Sequence, residues 1–195
     1  VPGLQPRQAQ HDMAEAVEKA IKHQSQLVVE AGTGTGKTFA YLVPALLSGK
    51  RIIISTGSKN LQEQLFHRDL PLMIDALGYF GQVALLKGRS NYLCLDRLSR
   101  QLVESHTNES DPTLLLQLIK VRSWSSETKT GDLGECDDIA EDSPVIPTIT
   151  STNDNCLGKD CPSYQDCFVL KARKRALDSD VVVVNHHLFL AALAT

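Results

Sequence analysis

Three of the chain's five cysteines fall within "CLGKDCPSYQDCF", at Cys156, Cys161 and Cys167. Their spacing admits a disulfide partner, zinc ligands, iron–sulfur ligands or three unrelated core residues. Soft thiolates select zinc, copper(I) or iron–sulfur clusters, and a tetrahedral zinc site or a cubane needs four ligands. The tight group supplies three, so a fourth has to come from Cys94 or Cys136. Zinc sites usually pair cysteines two to four residues apart. The present spacing is looser, and zinc stays open alongside a cluster. A second chemical signal is "EAGTGTGKT", Glu30 to Thr38. Glycines at 32, 34 and 36 let backbone N–H groups turn inward around phosphate oxygens, and a following helix adds its positive dipole end. In such a Walker A loop Lys37 reaches the β and γ phosphates of ATP and Thr38 places its hydroxyl on Mg2+. Ala31, Gly32, Thr33, Gly34, Thr35 and Gly36 form the rest of the cradle, with Lys37 and Thr38 as its catalytic pair.

A loop of this kind needs a strand before it and a helix after it. "QLVVE", Gln26 to Glu30, is a short β-branched run that predicts that strand, and "KTFAYLVPALL" predicts the helix. Upstream, Ala9, Met13, Ala16, Val17, Ala20 and Ile21 recur at helical spacing from Pro6 to about His23. Downstream, "RIIIST" and "QVALLK" read as buried strands with the helix "LQEQLFHRDL" between them. Alternating strands and helices predict an α/β fold with a parallel sheet covered on both faces. After Arg89 the alternation stops. Helical segments around "YLCLDRLSRQLV" and "PTLLLQLIKVRSW" lead into a polar, acidic stretch from Ser125 to Asn155, and "DVVVVN" then restores a buried strand. The middle reads as an insertion in an α/β domain.

Bulk properties exclude several classes. The 195 residues are 42% hydrophobic and 22% charged, with a net charge of −3, and no apolar run approaches the roughly 20 residues of a bilayer span. The beginning lacks the apolar core of a secretory signal, so the expected compartment is the cytoplasm, where disulfides are rare. The charge says nothing about nucleic acid, since an acidic protein can hold a basic groove.

Together these motifs resemble the N-terminal part of a superfamily 2 helicase of the DinG/XPD-like group, most like its bacterial YoaA branch. "PRQAQ" resembles the family's adenine-reading motif, which implies Gln10 on the base edge and Arg7 nearby. "ISTGSKNLQEQL" resembles motif Ia, which implies Thr56 and Gly57 against single-stranded DNA. "LKGRSNYLC", "NDNCLGKDCPSYQDCF" and "DVVVVNHHLF" resemble the stretches that enter, fill and leave the family's iron–sulfur insertion. Ala31 stands where the strict Walker A pattern has glycine, a departure that helicase-type loops accept.

The resemblance implies a RecA-like P-loop motor domain over 1–89 and 176–195, interrupted by a mostly helical insertion over 90–175. It favours Cys94 as the fourth ligand of a [4Fe–4S] cluster with Cys156, Cys161 and Cys167, leaving Cys136 a bystander. The insertion reads as too poor in core to hold its shape, so the cluster is expected to stiffen it for splitting a duplex. "KARKRA" places Lys171, Arg173, Lys174 and Arg175 on one short helix, read as phosphate contacts beside Lys87 and Arg89, with a solvated face as the alternative. His186 and His187 read as structural.

No strand in the sequence ends on a Walker B acid, so the chain reads as a fragment whose parent supplies that box and a second motor domain. The implied parent is an ATP-dependent 5′–3′ DNA helicase of repair, acting on single-stranded or forked DNA with replication or repair proteins as possible partners. The rivals are a nucleotide- and DNA-binding iron–sulfur adaptor without motor activity and a zinc-dependent P-loop protein.

Overall fold

The computed structural model describes residues 8–32, 34–107 and 111–194. Helix α1, Gln8–His23, follows the apolar spacing noted above and closes on His23 after Lys22, a cation that suits the negative end of the helix dipole. It packs along α2, Lys37–Leu47. Strand β1, Ile52–Thr56, leads into α3, Lys59–Gln64, whose N-terminus is capped by the Ser58 hydroxyl accepting from Leu61 N–H. A π-helical turn over Leu65–Asp69 carries α3 into α4, Leu70–Leu77, which ends at Gly78 in the left-handed conformation. Strand β2, Val83–Leu86, comes next in the chain, and β3, Val181–Asn185, is its last strand among the described residues.

The three strands form one sheet in the order β1-β3-β2, and β1 pairs with β3 in parallel from Ile52↔Val181 to Thr56↔Asn185. The strand latest in sequence thus occupies the central place between the two earlier ones. Val181 and Val183 are fully buried there, packed with Leu42, Leu46, Ile54, Leu65, Leu70 and Met73.

By its internal packing the chain forms two units, Val1–Leu85 with Asp178–Thr195, and Leu86–Leu177. The second unit is built on α5, Leu95–Thr107, α6, Pro112–Ser125, the short α7, Ile146–Ile149, and α8, Phe168–Asp178. Its core joins Leu93, Leu98, Leu118, Val121, Val145, Ile149, Phe168 and Ala172. Gly131, at φ 66°, lies against the Phe168 ring so closely that a Cβ could not fit. Back in the first unit, helix α9, His186–Leu193, leaves β3 under the Asn185 side-chain cap.

The structure corrects two expectations. The run Gln26–Glu30 is not a strand: Val28 is 97% exposed, and no described segment pairs with its backbone. A strand exists only through a neighbour's N–H and C=O groups, which local β-propensity cannot supply. The insertion is also not poor in core. The polar stretch 125–155 buries Leu133, Cys136, Ile139, Val145 and Ile149, single apolar residues among charges that show no helical or strand period. A nearly buried ion pair between Lys87 and Asp132 fixes the start of that stretch, where Asp132 also accepts from Gly134 N–H at 3.0 Å.

Candidate functional site

The phosphate loop has its turn glycines in the conformation the motif demands. Gly34 and Gly36 stand at φ 73° and 80°, and α2 begins at Lys37 immediately after. The Lys37 ammonium is folded back onto the loop, donating to the carbonyls of Ala31 at 2.6 Å and Gly32 at 2.7 Å, while the Thr35 hydroxyl donates to Gly32 O at 2.9 Å. Gln10 reaches the same loop, its amide donating to Gly36 O at 3.2 Å. The sequence put Gln10 and Lys37 in one nucleotide site although 26 positions separate Gln10 from Gly36, and the packing of α1 on α2 brings them together. Arg7 and Thr33, also expected there, lie outside the described residues. Tyr41 was not anticipated. Burial pushes its phenol above the ordinary value, and the side chain of Thr38, the residue expected to meet Mg2+, opposes the shift.

In the second unit a cavity of about 240 Å³ is lined by Cys94, Cys156, Cys161 and Cys167. That is several times the roughly 30 Å³ that one water occupies in the liquid. Cys136 is not among the lining residues: it is 3% exposed and packed in the core. Cys94 directly precedes α5 and Cys167 directly precedes α8, with their carbonyls accepting from Leu98 and Lys171 N–H. The backbone of Cys94 is pinned further by its N–H donating to Ile149 O at 2.8 Å.

Cys156 receives Arg89 Nη1 at 3.1 Å and the Gly158 N–H at 3.4 Å. Arg89 Nε is buried with no partner, an N–H that an acceptor in the cavity would satisfy. Arg97, Lys159 and Arg173 line the cavity as well, against the single carboxylate of Asp96. Burial pushes the Cys94 thiol above its ordinary value, and nearby Cys161 adds to the shift, so ligation of a metal would release a proton. Burial likewise raises the Cys136 thiol. All five cysteines are free thiols, and no three His, Cys, Asp or Glu side chains among the described residues converge closely enough to hold a metal ion. Four thiols, donors to sulfur and surplus positive charge suit an anionic group larger than one ion.

The sequence pattern of the DEAD/DEAH box helicases matches residues 10–125, more than half of the chain. The chain belongs to the DEAD/DEAH box helicase family. The ATP-dependent DNA helicase YoaA of Haemophilus influenzae is 59% identical over 194 residues, covering 100% of this chain and 30% of that protein. YoaA of Escherichia coli is 60% identical over 191 residues, 98% of this chain and again 30% of the relative. The ATP-dependent helicase DinG of Mycobacterium tuberculosis is 38% identical over 202 residues, with 93% and 30% covered. The chain thus spans about 30% of the length of these relatives.

For this helicase family the expected DNA contacts divide by environment. Thr56 ends β1, its hydroxyl donating to Ser58 O at 3.2 Å, and Gly57 is exposed beside it. Lys87 pairs with Asp132, its side chain 11% exposed. Arg89 donates through Nη1 to Cys156 and lines the cavity. On α8, Lys171 pairs with Asp166 at 3.0 Å on the surface, Arg173 lines the cysteine cavity, and Arg175 donates to Lys129 O at 3.4 Å. Lys174 is exposed, with no hydrogen bond or ion pair among the described residues. A local pattern of cations could not distinguish these four, since their partners come from elsewhere in the chain. No helix among the described residues is long and apolar enough to cross a membrane.

Proposed function

We propose that this chain is the ATP-binding, cluster-bearing part of a DNA helicase that moves 5′ to 3′ along single-stranded DNA and serves DNA repair. The observation that carries this reading is the meeting of Cys94, Cys156, Cys161 and Cys167 around one cavity, in a chain that also holds a Walker A loop. ATP with Mg2+ would occupy the loop. Lys37 would exchange the carbonyls of Ala31 and Gly32 for the β and γ phosphates, replacing neutral acceptors by charged ones, while Thr38 faces the magnesium. Gln10, already at the loop, would read the adenine edge.

The four cysteines would hold a [4Fe–4S] cluster, which would fix α5 and α8 relative to the loop that carries Cys156 and Cys161. A single zinc would draw four sulfurs to roughly 3.8 Å of one another, given Zn–S bonds of about 2.3 Å in a tetrahedron. The cavity of about 240 Å³ has room for the larger group. The unit has a core of its own, so the cluster would set the stiffness of one face and not the existence of the fold.

The test is the full-length protein purified without oxygen. It is expected to be brown, to contain about four irons, and to unwind a forked duplex with a 5′ tail but not one with only a 3′ tail. A colourless zinc protein, or unwinding from the 3′ tail alone, would overturn the corresponding part.

For DNA, Lys171, Arg173, Lys174 and Arg175 are all exposed on α8, and Lys171 and Lys174 are the two that neither line the cavity nor bond a backbone carbonyl. Replacing both by Ala is expected to flatten the dependence of log affinity on log salt, by about 0.7 for each single-strand phosphate that no longer meets a cation. An unchanged slope would return this helix to a solvated surface.

A further inference from the structure

β1 and β3 run parallel as neighbours, with Thr56 level with Asn185, so the loops leaving their C-terminal ends stand side by side. In open α/β sheets ligands bind beyond the carboxyl ends of the strands. One side chain links these two loops. His186 Nδ1 lies 2.6 Å from Ser55 Oγ, and its ring lies beside Gly57, where an added Cβ would meet Cδ2 and Nε2 at 3.7 Å. His186 is held in turn by its backbone, as the first residue of α9 under the Asn185 cap, whose side chain accepts from Leu188 N–H at 2.8 Å. Within the neighbouring loop, the Thr56 hydroxyl and the Ser58 cap make only local bonds.

We propose that His186 is a positioning residue for the Thr56–Gly57 loop. Its imidazole bonds Ser55 and lies beside Gly57, linking the end of β1 to the start of α9, and so presets the Thr56 hydroxyl and the Gly57 N–H for a phosphate of single-stranded DNA. This inference rests on the reading of Thr56 and Gly57 as DNA contacts. An exposed histidine bonded across two loop ends contributes little to a core, and a loop bonded mainly to itself gains order from one outside anchor. Ordering the loop before binding removes that entropic cost from the binding step.

The experiment uses the full-length protein, with fluorescence anisotropy on a labelled oligo(dT) strand and with DNA-stimulated phosphate release. Ser55→Ala and His186→Ala are each expected to weaken binding about fivefold. The double variant should be no weaker than either single one, as for two groups acting through one bond. His186→Asn, whose amide can still reach Ser55, should recover most of the affinity. The effect should appear in the DNA concentration for half-maximal stimulation and not in the maximal rate. Thr56→Val separates the two layers. If Thr56→Val binds as wild type, the DNA-contact reading fails and the inference with it. If Thr56→Val weakens binding while Ser55→Ala and His186→Ala do not, the inference alone is overturned. Additive effects, or weakening that tracks a lowered melting temperature without rescue by Asn, also overturn it.

Discussion

Full-length protein carrying Cys94→Ser is expected to lose essentially all of its iron and its brown colour, whereas Cys136→Ser retains both. A cubane needs four thiolates, and the cavity offers Cys94 with Cys156, Cys161 and Cys167 and no fifth cysteine. Serine at 94 keeps the backbone bond to Ile149 but replaces a soft ligand with a hard, weakly acidic one. Cys136→Ser has a different consequence. It puts a hydroxyl among the apolar side chains around a site that is 3% exposed, at a cost of about 1–3 kcal/mol if the hydroxyl finds no acceptor. Cys136→Ala should cost less. Iron content by chelation assay and melting temperature by circular dichroism separate the two positions: metal loss at 94, lowered stability with full metal at 136. Equal iron in wild type and Cys94→Ser would remove Cys94 from the ligand set.

The 195-residue chain by itself is expected to release phosphate from ATP only at background, with or without single-stranded DNA, while the full-length protein shows DNA-stimulated release that Lys37→Ala abolishes. A P-loop motor needs a carboxylate at a strand end to hold Mg2+ and another to orient water. The three strands end on Thr56, Leu86 and Asn185. The carboxylates Asp137, Asp138, Glu141 and Asp142 are exposed in the second unit, on the stretch that leads into α7, and none ends a strand. An arginine acting from an opposing domain is worth roughly 10³ to 10⁵ in rate in nucleotide hydrolases of the P-loop type. Binding is a separate matter, because the Gly34 and Gly36 turns lead directly into α2 at Lys37: a fluorescent ATP analogue should still titrate the chain, and Lys37→Ala should weaken it. Phosphate release from the isolated chain that DNA stimulates and Lys37→Ala abolishes would show that it holds a working acid.

Features decided within a few residues are legible in the order of the amino acids alone. The Gly34 and Gly36 turns, the start of α2 at Lys37, the Ser58 and Asn185 caps and the amphipathic α1 all follow from local conformational limits. The cysteine trio is legible for the same reason, since its spacing lies within one loop. Where the partner is remote, the folded chain made the choice. It set Cys94 at the cavity and Cys136 in the core, an assignment that the residues alone left open. It paired Lys87 with Asp132 and Arg89 with Cys156, partners that a local run of cations does not reveal. It left Gln26–Glu30 outside the sheet and placed β3 between β1 and β2. Propensity belongs to a residue, but a strand's pairing, a charge's partner and a thiol's burial belong to whatever the folded chain brings beside it.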